Sequence, residues 1–266
     1  MKLVWLTLRV GHFFKQCVVL LLGNVLFVPE QRSAMNKVCF LKVSACALVL
    51  SSTPAYATGM VPETSVVVVE QDDGEGSINL VNTDAYPVVL LTTLQNIPED
   101  SDTLLIVTPP AARVEPQKNQ RVRFILISKE PLKTERLKRV IFEGVPPQQK
   151  GKSEVRMTVR QNLPVIIRPA GLAKEVAPWK HLVWKLNGNR LTVNNPSAYV
   201  VRLGQGVKTL PGNTDWTLPN NYILPGQTLT ITAEQRNAGS AVLQVRISPA
   251  TTWGYTVDSY DAPLSK

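Results

Sequence analysis

Three cysteines, two histidines and a short acidic run are the residues of this 266-residue chain best suited to act as nucleophiles, bases or metal ligands. The cysteines, Cys17, Cys39 and Cys46, all lie near the N-terminus, and the histidines are His12 and His181. A Ser–His–acid hydrolase would rest on His181, and no G-x-S-x-G elbow accompanies it. H-E-x-x-H and G-x-x-x-x-G-K-[ST] are absent too. Asp72, Asp73 and Glu75 flank Gly74 in a turn, where solvated carboxylates are the ordinary outcome. These residues point to a protein that is not an enzyme, with no cofactor and no metal site.

A second kind of chemistry belongs to the backbone. Val155, Met157 and Val159 alternate with Arg156, Thr158 and Arg160, the pattern of a strand with one apolar and one basic row. An ordinary sandwich strand has the same periodicity. Two details set this one apart: a basic loop with Lys150 and Lys152 precedes it, and Pro164 lies in its continuation. Proline cannot donate to a ladder, so that part is expected at a sheet edge or bulge. An edge strand with an apolar row is a hazard unless it pairs with another chain.

The elements that must position this strand are themselves extended. With 44% apolar residues, 20 prolines and 15 glycines, the composition excludes disorder and collagen and leans towards an all-β protein. In the first half, strands are expected at Ser65–Glu70, Ser77–Val81, Val88–Leu94, Leu104–Val107, Arg121–Ile127, Arg136–Phe142 and Val155–Ile167. That is enough for one immunoglobulin-like sandwich. Pro169-Ala170-Gly171-Leu172 reads as a linker. A second series follows at Leu182–Leu186, Arg190–Asn194, Ala198–Gly204, Trp216–Leu218, Thr228–Thr232, Ala241–Ser248 and Trp253–Val257. Asn187-Gly188-Asn189 is a hairpin signal. Trp179, Trp184, Trp216 and Trp253 are expected to serve mainly as core and linker-packing residues.

The front end reads differently. Met35–Ala57 has a short basic region at Lys37, an apolar stretch from Cys39 to Leu50, and Ala55-Tyr56-Ala57 at a small-x-small cleavage site. Residues 1–57 are therefore expected to be an upstream extension plus a signal peptide (35–57), followed by domains at 58–170 and 171–266. The run Val18–Val28 is short and interrupted, so no stable membrane anchor is expected. Cleavage after Ala57 removes every cysteine, which excludes a thiol nucleophile, an iron–sulfur cluster and a disulfide framework. It also removes six of the 29 basic and one of the 20 acidic residues, and the net charge falls from +9 to +4. That is too mild to argue for nucleic acid.

In sum, a set of short segments resembles the periplasmic chaperones of chaperone–usher pili, the PapD-like superfamily, over essentially the whole mature chain. They are Asn82-Thr83-Asp84-Ala85-Tyr86-Pro87-Val88, Val107-Thr108-Pro109-Pro110, Arg113-Val114-Glu115-Pro116, Arg121-Val122-Arg123, Gly144-Val145-Pro146-Pro147, Ile167-Arg168-Pro169 and Asn194-Asn195-Pro196-Ser197-Ala198-Tyr199. The resemblance implies two immunoglobulin-like β-sandwich domains at an angle, with a binding cleft between them. It implies fimbrial (pilus) subunits and an outer-membrane usher as partners. It also implies a mechanism in which the chaperone lends a β-strand to a subunit that lacks one. By position Val155, Met157 and Val159 are the donated row.

One departure stands out. Familiar members of the family hold the subunit's C-terminal carboxylate with an arginine in the first strand and a lysine in the seventh, and here those positions read Ser65 and Pro164. A divergent, archaic branch resembles this chain in carrying a proline near that place and taking the cation from the sixth strand. Arg139, flanked by Lys138, stands there; a solvated strand charge is the other reading of it. Glu135 and Arg168 match an interdomain ion-pair network whose third acid, expected near Pro249, is not evident. A structural fimbrial subunit and an Ig-like binding module remain as alternatives.

Overall fold

Alternating burial along short extended segments shapes both halves of this molecule. The computed structural model describes residues 59–128, 130–147, 158–232, 242–255 and 257–265. The first half contains β1 (Met60–Pro62), β2 (Val67–Glu70), β3 (Glu75–Asn82), β4 (Val88–Gln95), β5 (Leu105–Thr108), β6 (Ala111–Val114), β7 (Asn119–Leu126), β8 (Arg136–Val145) and β9 (Arg160–Arg168). They join in the order β5-β7-β3-β2-β9-β8-β4-β6, with β1 also paired to β3. In β4, Val88 and Leu90 point inward while Val89 and Leu91 stay exposed, the alternation of a strand with one face on a core. The core gathers Leu80, Val122, Phe124, Val140, Phe142, Val165 and Ile167.

The second half runs β10 (Val183–Asn187), β11 (Arg190–Asn194), β12 (Val201–Leu203), β13 (Gly206–Leu210), β14 (Thr214–Thr217), β15 (Tyr222–Ile223), β16 (Thr228–Thr232), β17 (Gln244–Ile247), β18 (Pro249–Ala250) and β19 (Tyr260–Pro263). Its sheets are β10-β11-β16, β15-β12-β18 and β14-β13-β17-β19. Trp184, Leu191, Val201, Trp216, Ile223 and Val245 fill the space between them. Gly188, at φ 62°, starts the two-residue turn between β10 and β11, whose last pair is Asn187 with Arg190.

The two sandwiches repeat one device. Asn82 is fully buried; its amide nitrogen donates to the carbonyls of Tyr86 and Val114 and its oxygen accepts from Asp84 N–H. Asn195, equally buried, donates to Tyr199 and Ile223 and accepts from Ser197 N–H. Each asparagine satisfies backbone groups that a corner would otherwise bury unpaired, a loss of about 1–3 kcal/mol per group. The repeated Asn-x-x-x-Tyr spacing is this corner written in sequence.

Several expectations need correction. The segment from Trp253 does not form a strand. Thr251 N–H donates to Tyr255 O and Gly254 N–H to Thr251 O, with Gly254 at φ 88°, so the chain turns back on itself. The last strand is β19 instead. Trp253 is 39% exposed, unlike the three core tryptophans Trp179, Trp184 and Trp216. Short strands β1, β6, β13, β15 and β18 were not read from the sequence; β13 does alternate, but one of its inward positions is Thr209, so no apolar row marks it.

Candidate functional site

β9 has two different edges. Along one, it pairs antiparallel with β8 from Arg160 opposite Glu143 to Ile167 opposite Arg136. Along the other, it pairs parallel with β2, and only from Val165 opposite Val67 onward. The ladder edge of Arg160–Pro164 away from β8 therefore has no strand partner among the described residues. Pro164 sits where the partnered part begins, so the missing N–H falls at a boundary rather than inside a ladder flanked on both sides.

The two faces of β9 do different work. Leu163, Val165 and Ile167 enter the first core. Strand alternation puts Val159 on that same face, beyond the end of the sandwich, where it is 60% exposed. Val155 and Met157, the other members of the row read from the sequence, lie outside the described residues. The opposite face turns towards the second sandwich and a cavity of about 480 Å³.

That cavity is lined by Ser65, Leu137, Arg139, Pro164, Arg202 and Tyr222 among others. Arg139 stands directly across the ladder from Pro164. Its Nε donates to Asn162 Oδ1 at 2.7 Å and its Nη2 to Asn162 O at 2.8 Å, so the guanidinium is held by β9 itself. Burial pulls its pKa below the ordinary value. Ser65 and Pro164, the two positions where a cationic clamp was sought, do line this cavity and bring no charge. Ser65 instead donates to Gly254 O at 3.1 Å; a Cβ on Gly254 would fall 2.0 Å from Ser65 Oγ.

Lys138 does not share the cavity. It points to the other side of β8, is 3% exposed, and places Nζ 2.8 Å from both the backbone oxygen and Oδ1 of Asp100. Alternation separates it from Arg139, and its charge is spent on Asp100. Lys138, read beside Arg139 as a possible anchor, is thus engaged with Asp100 on the opposite face of β8.

Glu135 and Arg168 meet as a buried pair, Nε to Oε1 at 3.2 Å. The third acid is Glu70 of β2, 2.9 Å from Arg168 Nη1, rather than a residue near Pro249. Glu135 Oε2 also accepts Val200 N–H at 2.8 Å, and Glu135 N–H donates to Ala198 O, so the pair ties β8 to the second sandwich. Burial pushes the Glu135 carboxyl up despite these partners. Tyr222 and Asn220 add hydrogen bonds to Glu99, at 2.9 and 3.1 Å. Burial and the Glu99 contact push the Tyr222 hydroxyl up to about 12. Val66, Ile97, Leu137, Ile166, Val200 and Tyr222 form a third apolar cluster drawn from both sandwiches.

Sequence reading missed Glu70, Arg202 and Tyr222. A signal for Arg202 exists in retrospect: Val201 and Leu203 are inward residues, so the intervening charge must face the other way. Together these parts make a two-sandwich binding protein, with an open strand edge that ends at a cationic cavity. The edge offers main-chain hydrogen bonds, and the guanidinium suits a carboxylate.

Residues 59–173 match the family model described as pili and flagellar-assembly chaperone, PapD N-terminal domain, and residues 177–259 match pili assembly chaperone PapD, C-terminal domain. The chain belongs to this family of pilus-assembly chaperones. It is 43% identical over 223 residues to the uncharacterized fimbrial chaperone YhcA of Escherichia coli K12, covering 84% of this chain and 98% of that one. In fold it is similar to the crystal structure of the E. coli chaperone DraB, with TM-score 0.63 and 22% identity over 78% of this chain and 98% of that one. A structure of the Salmonella enterica SafA pilin in complex with the SafB chaperone also matches, with TM-score 0.63 and 19% identity over 79% and 99% of the two chains.

Proposed function

We propose that this chaperone captures a fimbrial subunit by strand addition along β9 and holds the subunit's C-terminal carboxylate at Arg139. The observation that carries the reading is the open edge of Arg160–Pro164 ending beside that arginine. A segment running parallel to β9 on this edge is collinear with β2, and its C-terminus arrives where β2 begins, at the cavity. An antiparallel segment would bring a cationic N-terminus to the guanidinium, which electrostatics disfavours. Val155, Met157 and Val159 would insert into the apolar groove of the subunit.

The role is one of binding and delivery, without catalysis, in the periplasm, with the loaded subunit passed to an outer-membrane usher. Domains at 58–170 and 171–266, behind a signal cleaved after Ala57, fit this location; N-terminal sequencing of the secreted protein is expected to read from Thr58. Arg139→Ala is expected to weaken subunit capture tenfold or more, in line with truncating one partner of a buried charge pair. Amidating the subunit's C-terminus should cost the wild-type protein a similar loss and add little in the variant. Equal binding of acid and amide by the wild-type chaperone would remove the anchor from this reading.

A further inference from the structure

Arg202 occupies the centre of β12, with Tyr222 on one side and Ala250 on the other. It faces the cavity that Arg139 enters from the other sandwich. Its Nη1 is buried and has no hydrogen-bond partner among the described residues. A buried donor left unpaired costs about 1–3 kcal/mol, more when charged, so such an atom marks a place built for an acceptor.

The electrostatics agree. Burial and the nearby charge of Arg139 both pull the Arg202 pKa below its ordinary value. Among the described residues no carboxylate offsets either guanidinium. Glu63 lines the same cavity, but its oxygens are taken by the backbone N–H and side-chain amide of Asn79, each at 2.9 Å. Glu99 is likewise engaged, by Tyr222 and Asn220. Two like charges thus converge on one cavity without a counter-ion among the described residues. Their mutual repulsion is relieved when an anion with two acceptor oxygens lies between them.

We propose that Arg202 is the second arm of the carboxylate site, so that the terminal carboxylate is gripped between one guanidinium from each sandwich. The proposal rests on the reading of Arg139 as the anchor and extends it to the second domain. It gives that domain a direct part in recognition. It also makes the site depend on how the sandwiches are docked, because β8 and β12 each supply one arm.

Acetate is the probe that tests this without a subunit. The arginine Nε–Hε resonances of the secreted protein are followed by NMR during titration with sodium acetate, against acetamide and sodium chloride. The Arg139 and Arg202 signals are expected to move together on one saturating curve with acetate and to ignore acetamide. Arg202→Gln should weaken acetate binding, read at Arg139, tenfold or more, and Arg202→Lys should recover part of it. A response at Arg139 with none at Arg202, or unchanged affinity in Arg202→Gln, overturns the second arm and leaves the first standing. No response at either arginine overturns both, and an equal response to chloride overturns a carboxylate site. Should Arg202→Gln fail to fold, the wild-type Arg202 signal and the lysine variant decide the matter.

Discussion

Two neighbouring cations on β8 have opposite fates. Arg139 faces the cavity, whereas Lys138 is buried with Asp100, which also binds Arg136. Burial opposes ionisation of Asp100, but the hydrogen bonds from Arg136 and Lys138 outweigh it and hold the carboxyl below its ordinary value. A folded-state pKa below the unfolded one gives stability that is present above about pH 4 and lost as pH falls through the lowered value. Lys138→Ala should therefore cost about 2–4 kcal/mol at neutral pH, less than a pair with no second cation, because Arg136 remains. Its deficit relative to wild type should shrink in acid, as urea melts between pH 7 and pH 2 would record. Subunit affinity, measured where both variants are folded, should follow Arg139 and not Lys138.

At the scale of the element, β9 serves two structures at once. Its last residues complete the first sandwich between β8 and β2, while Arg160–Pro164 present an edge. If three donated side chains each bury roughly 60–100 Å², at about 25 cal/mol per Å², they contribute about 5–7 kcal/mol before the cost of association. Val159 is exposed in the free protein, so Val159→Asp should leave the melting temperature nearly unchanged. Capture should nonetheless fall at least a hundredfold, because the charge enters an apolar groove. Met157→Asp should behave alike and Thr158→Asp, on the other row, much more mildly. Calorimetric titration with a fimbrial subunit separates the rows; equal losses from Val159→Asp and Thr158→Asp would speak against alternation.

Across the whole molecule, Glu135 joins the two sandwiches through Arg168 on one side and Val200 N–H on the other. Arg168 is 2% exposed, so removing the acid leaves a buried guanidinium with Glu70 and an unpaired backbone donor in the second sandwich. Glu135→Ala is expected to cost about 3–5 kcal/mol and to divide the calorimetric melt into two transitions as the sandwiches uncouple. Ser65→Ala removes only an exposed contact to Gly254 and should cost under about 1 kcal/mol with a single transition. A single transition in Glu135→Ala would assign the coupling to the shared apolar cluster around Leu137, Ile166 and Val200 instead.

Periodicity and punctuation carried much of this protein openly. Alternation announces a half-buried strand because successive side chains must face opposite ways, and β11 and β16 run over the residues read for them, Arg190–Asn194 and Thr228–Thr232. The corners at Asn82 and Asn195 were likewise written locally, since each asparagine bonds groups a few residues away. Pro164 pointed to an edge because the missing N–H is a property of the residue itself. What only the tertiary structure decided was which distant groups meet. Glu70 completes the Arg168 network through the parallel pairing of β2 with β9, and Arg202 joins Arg139 across two sandwiches. The turn that holds Trp253 is seated against Ser65, 189 positions earlier in the chain, through Gly254. Local spacing determines which face a side chain takes; the partner on that face depends on chain closure over long separations, to which periodicity is blind.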